Sequence, residues 1–302
     1  MLIVNPFASS VTARGRVIIN KALRAGHEVT TAETSRRGHA TRFAQDAAAR
    51  GFDVVAVLGG DGTLNEAANG LVGTSCALAP LPGGSTNVFA RTLGYPNDPV
   101  EATDVLVDAL DAGSMRRVGL GSVNGRYFLF HTGIGFDAAV VREVERRGSL
   151  KRWAGHPLFV YAGLATWARR RRNGPAPFSI SHSDGTVVPQ AEFAICMNTN
   201  PYTFLGNRPL ELSTAATLDR GLVMVGFRDL KASTILPALG SALRGRGVPD
   251  SKRVSVRTDL DQVIVEAVEP IPYQVDGDDL GDASRLVFKH EPDVMNLVLP
   301  SR

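Results

Sequence analysis

The sequence predicts an α/β domain with parallel strands followed by a β-rich domain, and three observations carry that expectation. Before Met115, apolar strands alternate with helical segments across crossovers of roughly ten or more residues, which is how parallel sheets are wired. Two glycine turns, Gly59-Gly60-Asp61-Gly62 and Gly83-Gly84-Ser85, follow successive strands. Beyond Met115, hairpin signals and short strands replace the alternation.

The first strand is Leu2-Ile3-Val4, and Asn5-Pro6 marks the turn at its end. A helix carrying Val17, Ile18 and Leu23 follows. Glu28 to Thr34 reads as a second strand, and an alanine-rich helix with Phe43 leads to Val54-Val55-Ala56-Val57-Leu58. Five consecutive apolar residues closed by glycines read as a buried strand. The next stretch, from Leu64, has apolar residues at helical spacing, at 64, 67, 68 and 71. Cys76 to Pro82 is the fourth strand, and the helix Val88 to Leu93 stops at Gly94-Tyr95-Pro96.

In the second half, Arg116 to Val123 and Arg126 to His131 are joined by Asn124-Gly125, a strong hairpin signal. Gly133-Ile134-Gly135-Phe136-Asp137 opens a charged helix through Arg147. Strands are expected at Phe178 to His182, Glu192 to Met197, Gly221 to Phe227, Val254 to Thr258, Gln262 to Val268 and Tyr273 to Val275, with one helix near Ile235 to Leu243. The last strand, Val294 to Leu299, is expected to return to the first domain. The boundaries read as 1–115 completed by 286–302, and 116–285.

At 302 residues, with 44% hydrophobic and 21% charged residues, the chain belongs with ordinary globular proteins and not with disordered or fibrous ones. It has no apolar run of about 18 residues and no basic-then-apolar leader, so an intracellular protein is expected. Cys76 and Cys196 lack metal-ligand spacing and read as buried thiols. The net charge of +3 is too small to argue for nucleic acid.

Three glycines in four positions let backbone N–H groups approach a ligand, and the helix behind them adds the positive end of its dipole. The turn at 59–62 therefore reads as a phosphate cradle, and the second glycine loop could flank the same ligand. Asp61 would sit beside phosphate only with a divalent cation between them. Asn5, Thr34 and Asp61 lie at strand ends, where ligands of parallel sheets bind. Asp276 and Asp278 are two apart, so in extended geometry both point to one side and could share a proton or a metal.

Gly59 to Glu66, Leu81 to Asn87 with Phe89-Ala90-Arg91, Gly133 to Asp137 and Val275-Asp276-Gly277-Asp278 occur in the order and approximate spacing of the diacylglycerol kinase catalytic family, which the chain resembles over nearly its whole length. The family includes sphingosine, ceramide and bacterial lipid kinases. The resemblance implies a three-layer α/β nucleotide-binding domain like that of NAD and diacylglycerol kinases, a β-sandwich-like lipid-substrate domain, and an active site in the cleft between them. It implies transfer of the γ-phosphate of ATP to a lipid hydroxyl, with Mg²⁺ as cofactor, at the inner face of a membrane. By position, Asn5, Thr34, Gly59, Gly60, Asp61, Gly62, Thr63, Asn65, Gly84 and Ser85 match the family's nucleotide contacts. Asp61 would act through Mg²⁺, and Asp276 or Asp278 would be the general base, the choice between them staying open. A kinase of a soluble hydroxyl such as NAD, or a nucleotide-binding regulator without catalysis, are the rival expectations. A homodimer is neither required nor excluded.

The chain departs from the family pattern at three places. Phe7-Ala8-Ser9-Ser10 replaces an opening loop that usually carries Gly and a cation, Val88 stands where many bacterial members have Asp, and Arg220 stands where bacterial lipid kinases place an Asp on an auxiliary Mg²⁺. The resemblance thus implies that this auxiliary metal is lost. Arg142, Arg146, Arg147, Lys151 and Arg152 precede Trp153, Leu158, Phe159, Tyr161, Leu164 and Trp167, and Arg169 to Arg172 close the stretch. Those last four arginines suit a bilayer edge, whereas the aromatics suit a helix packed on the core.

Overall fold

The computed structural model describes residues 1–145 and 177–301. The aromatic and basic stretch from Arg146 to Arg172 lies outside the described residues. The chain divides into two compact units, Met1–Leu120 with Pro292–Arg302, and Gly121–Glu291.

The first unit contains β1 (Leu2–Val4), α1 (Ala13–Arg24), β2 (Thr31–Glu33), α2 (His39–Ala49), β3 (Val54–Gly59), α3 (Asp61–Leu71), β4 (Ala77–Pro82), α4 (Val88–Thr92) and α5 (Pro99–Asp111). Strands β2-β1-β3-β4 pair in parallel in that order, and Asn296 and Leu297 near the chain's end pair in parallel with Ala77 and Leu78. Strand alternation gives each face its own cover. Leu2, Val4, Ala56, Leu58, Ala77, Ala79 and Leu81 pack with Ile19 and Leu23 of α1 and with Ala102, Leu106 and Ala109 of α5. On the helical side α2 packs against α3, so closely that a Cβ on Gly70 would stand 2.5 Å from the Thr41 carbonyl. Strong local signals start α5: Asp98 accepts from the Val100 and Glu101 N–H groups at 2.8 and 3.0 Å, and Pro99 opens the helix.

The second unit is antiparallel. β5 (Met115–Val123) leads into it and pairs with β6 (Arg126–Phe128) through Asn124 and Gly125, whose φ angles of 47° and 83° make the expected I′-type hairpin turn. Then come β7 (His131–Gly135), α6 (Phe136–Glu145), β8 (Phe178–His182), β9 (Val187–Ala191), β10 (Phe193–Met197), the small hairpin β11 (Thr203–Leu205) and β12 (Arg208–Leu210), β13 (Leu222–Phe227), α7 (Ala232–Ala242), β14 (Val254–Leu260), β15 (Gln262–Val275) and β16 (Asp278–Val298). The segments expected at 262–268 and 273–275 are one strand. β15 continues through Pro270 and Pro272 with register irregularities, pairing β8 along its first half and β7 along its last residues. Its bends accommodate prolines that a regular central strand would not. Strands hydrogen-bonded in one continuous sheet close on a core that includes Phe178, Ile180, Cys196, Met224, Val263 and Phe288. On the outer face of β10 and β13, Ile195, Met197, Val223 and Val225 pack beneath α7.

Candidate functional site

In the first unit the two glycine turns touch through their backbones. The Gly83 N–H donates to the Gly59 carbonyl at 2.8 Å. A Cβ on Gly83 would stand 2.8 Å from the Gly59 nitrogen, and one on Gly84 would stand 2.8 Å from the Gly60 Cα. No side chain fits at Gly83 or Gly84, which is why the second turn is built of glycine where it meets the first. Asn87 closes the second loop from a left-handed conformation, φ 51°. Its side chain accepts from the Gly84 N–H at 2.8 Å and donates to the Gly84 carbonyl at 2.9 Å. Ser10 ties the β1–α1 loop to the same place, its N–H donating to the Gly83 carbonyl and its hydroxyl to the Gly84 carbonyl.

Asp61 is the first residue of α3, and its carboxylate accepts from the Val88 and Phe89 N–H groups at 3.0 and 3.1 Å. It thus caps α4 and locks the second loop to the first. Burial raises its pKa, opposed by those backbone donors and by the charge of Arg91. Asn5 donates to the Thr63 hydroxyl at 3.0 Å while its own oxygen accepts from the Phe7 N–H. Thr34 is buried at the end of β2, Asn65 is buried within α3 as the acceptor of Asn69, and Ser85 is exposed at the loop tip. The candidate residues of this unit therefore gather at the C-terminal ends of β1 to β4.

The acidic pair in the second unit differs from its expected geometry. Asp276 and Gly277 have φ angles of 47° and 84°, and Val275 pairs with Asp278 across them, so Asp-Gly forms a two-residue hairpin turn. The strand is not extended there, so the geometry in which both carboxylates would point to one side is absent. Asp276 turns inward, 4% exposed, and accepts from the Leu129, Phe130 and His131 N–H groups at 2.7, 3.0 and 3.1 Å. Asp278 stands after the turn at the start of β16, half-buried.

A buried polar chain supports that turn, and sequence spacing gave no sign of it. Gln274 is fully buried, and its oxygen accepts from the Gly277 N–H at 2.7 Å. Its amide donates to the Asp137 carboxylate at 2.8 Å, and the Tyr202 hydroxyl donates to the other Asp137 oxygen. Burial raises the pKa of Asp137, opposed by those two donors, and burial beside that carboxylate raises Tyr202 as well. Gly133 must lack a Cβ because the Asp137 carboxylate occupies its place. The His131 ring lies tilted on Tyr202 with centroids 4.3 Å apart, and burial lowers its pKa to about 3, so it is neutral. Next to the turn, Arg142 forks onto Asp279 at 2.8 and 3.1 Å and reaches Asp282 at 2.7 Å.

Arg220 lies in a turn before β13, exposed. Among the described residues, no group of three His, Cys, Asp or Glu side chains converges as a metal site would. Also among them, no helix is long and apolar enough to cross a membrane.

Parallel strands ending in paired glycine turns, followed in the chain by an antiparallel unit, are an arrangement shared with solved kinase structures. A crystal structure of a diacylglycerol kinase from Bacillus anthracis superposes with a TM-score of 0.72, covering 99% of this chain and 95% of that one at 22% identity. An NAD kinase from Archaeoglobus fulgidus, solved in complex with ATP, superposes with a TM-score of 0.54 at 11% identity, covering 99% and 93%. The chain is 29% identical over 265 residues to the diacylglycerol kinase of Bacillus subtilis, covering 86% of this chain and 82% of that protein. The chain matches the diacylglycerol kinase catalytic domain over residues 1–123. It is a phosphotransferase with an alcohol group as acceptor.

Proposed function

We propose that the protein transfers the γ-phosphate of ATP to the hydroxyl of a membrane lipid, diacylglycerol-like or sphingoid-like. The observation that carries this proposal is the pair of glycine turns, packed too closely for a Cβ at Gly83 or Gly84 and set beside the N-terminus of the 11-residue helix α3. Backbone N–H groups in such turns suit phosphate oxygens, and the helix dipole favours their charge. The neighbouring NAD kinase, solved with ATP, supports the same donor here. Asn5, Thr34, Gly59, Gly60, Gly62, Thr63, Asn65, Gly84 and Ser85 would line the nucleotide.

Mg²⁺ fits as an ion carried by the nucleotide. It keeps several waters and takes one or two carboxylates plus phosphate oxygens, so a dedicated carboxylate cage is not needed. Bound there, it would neutralise the charge of the transferring phosphoryl group. Asp61 is the carboxylate beside the glycine turns, and its lone pairs beyond the two N–H donors suit an ion or its waters. For the general base we propose Asp278, because Asp276 is committed to three backbone donors. A carboxylate receiving a hydroxyl proton as the phosphoryl group transfers is worth about 10²–10⁴ in rate. Arg220 is read as a built-in cation replacing the auxiliary Mg²⁺ of bacterial lipid kinases. A titration of free Mg²⁺ at saturating MgATP should then reveal no second requirement, and a steep one would overturn that assignment. The protein would meet its substrate peripherally, at the inner face of the membrane.

The experiment is incubation with γ-labelled ATP and a total lipid extract, with NAD in a parallel reaction. Label entering the organic phase is the expected result. Label on NAD, with none on lipid, would overturn the lipid assignment.

A further inference from the structure

Helix α7 has its amphipathic pattern reversed. Thr234, Ala238 and Ala242 face the core, 6, 5 and 0% exposed, whereas Leu236, Leu239 and Leu243 are 65, 39 and 39% exposed. These leucines recur three and four residues apart and so form one outward stripe. A helix that only covered a sheet would bury its leucines and expose its alanines. The charge around the stripe is predominantly positive, with the Glu211 carboxylate beside Gly245 at the helix end. Residues 228–253 hold Arg228, Lys231, Arg244, Arg246, Lys252 and Arg253 against two carboxylates, Asp229 and Asp250. Asp229 already accepts from the Lys231 N–H and the Thr234 hydroxyl, and Asp250 faces Arg257 at 3.5 Å. Lys231, before the helix, and Arg244 and Arg246, after it, are exposed.

We propose that this face of α7 docks on an anionic lipid bilayer, with the leucines entering the headgroup boundary and the cations meeting lipid phosphates. The proposal rests on the lipid acceptor proposed above and names the surface that reaches it. The alternative occupant, a second copy across a two-fold axis, would set these cations against themselves.

The test is flotation of the full chain with phosphatidylglycerol/phosphatidylcholine vesicles and with phosphatidylcholine vesicles alone. The wild type should float with the anionic vesicles and not with the neutral ones. Leu236→Asn with Leu239→Asn, and separately Lys231→Gln with Arg244→Gln and Arg246→Gln, should each lower that partition at least tenfold. Both variants should keep the wild-type melting temperature and the wild-type turnover on a dispersed short-chain lipid alcohol. Wild-type flotation by either variant, or none by the wild type, would overturn the proposal. So would a wild-type dimer in sedimentation that the leucine variant splits. Flotation needs no turnover, so a protein that floats as expected yet phosphorylates no lipid would sink the proposed function alone.

Discussion

Asp276 and Asp278 look equivalent as letters and differ sharply as chemistry. Asp276 is a buried carboxylate holding three N–H groups, so Asp276→Asn replaces one acceptor oxygen with a donor facing donors. The expected cost is about 2–3 kcal/mol of stability, read as a lower midpoint in urea unfolding. Asp278→Asn should lower kcat about 100-fold or more. Asp-Gly is itself a hairpin signal, so this difference was legible; treating residues 276–278 as extended concealed it. The Asp137–Gln274 and Asp137–Tyr202 bonds span 137 and 65 residues of sequence, and no local spacing could have announced them. His131 adds a pH dependence. Its folded pKa is lowered by burial to about 3 from 6.5, so below pH 6.5 the unfolded chain takes up a proton that the folded one refuses. This contribution is intact above pH 6.5 and is lost as pH falls toward 3, by up to about 1.4 kcal/mol per unit. His131→Phe should flatten that part of the urea-derived stability profile, and an unchanged slope would contradict the assignment.

At the scale of elements, the strands, turns and caps were readable wherever their chemistry is local. The glycine turns end β3 and β4 as expected, and Asn124-Gly125 forms its hairpin. The backbone contact between the turns was not readable, because it depends on β3 and β4 being neighbours in register. Gly83→Ala forces a Cβ against Gly59 and should open that contact, costing about 1–3 kcal/mol and weakening ATP binding at least tenfold by calorimetry. Gly26→Ala, whose Cβ meets nothing within 4 Å, is the control and should shift stability by no more than about 0.5 kcal/mol. Equal ATP affinity in Gly83→Ala and the wild type would remove the turns from the nucleotide site. Asp61 was legible as a turn residue, but its partners at Val88 and Phe89 lie beyond the next strand, so its role as the tie between the two turns emerged only in the fold.

For the whole molecule, alternation of strands and helices in the first half and hairpin signals in the second were sufficient to specify an α/β unit and an antiparallel one. The segments read separately at 262–268 and 273–275 are one strand through Pro270 and Pro272, since a strand with register irregularities can carry prolines that a straight one excludes. The proposed reaction needs a phosphate cradle and a base, so the most direct test addresses both together. That measurement is transfer of label from γ-labelled ATP into a lipid extract by the wild type and by Asp278→Asn, with ATP affinity measured on the same samples. The expected result is a labelled lipid from the wild type and at least about 100-fold less from Asp278→Asn, at equal ATP affinity. Undiminished lipid labelling by Asp278→Asn, or label confined to a water-soluble acceptor, would contradict the account.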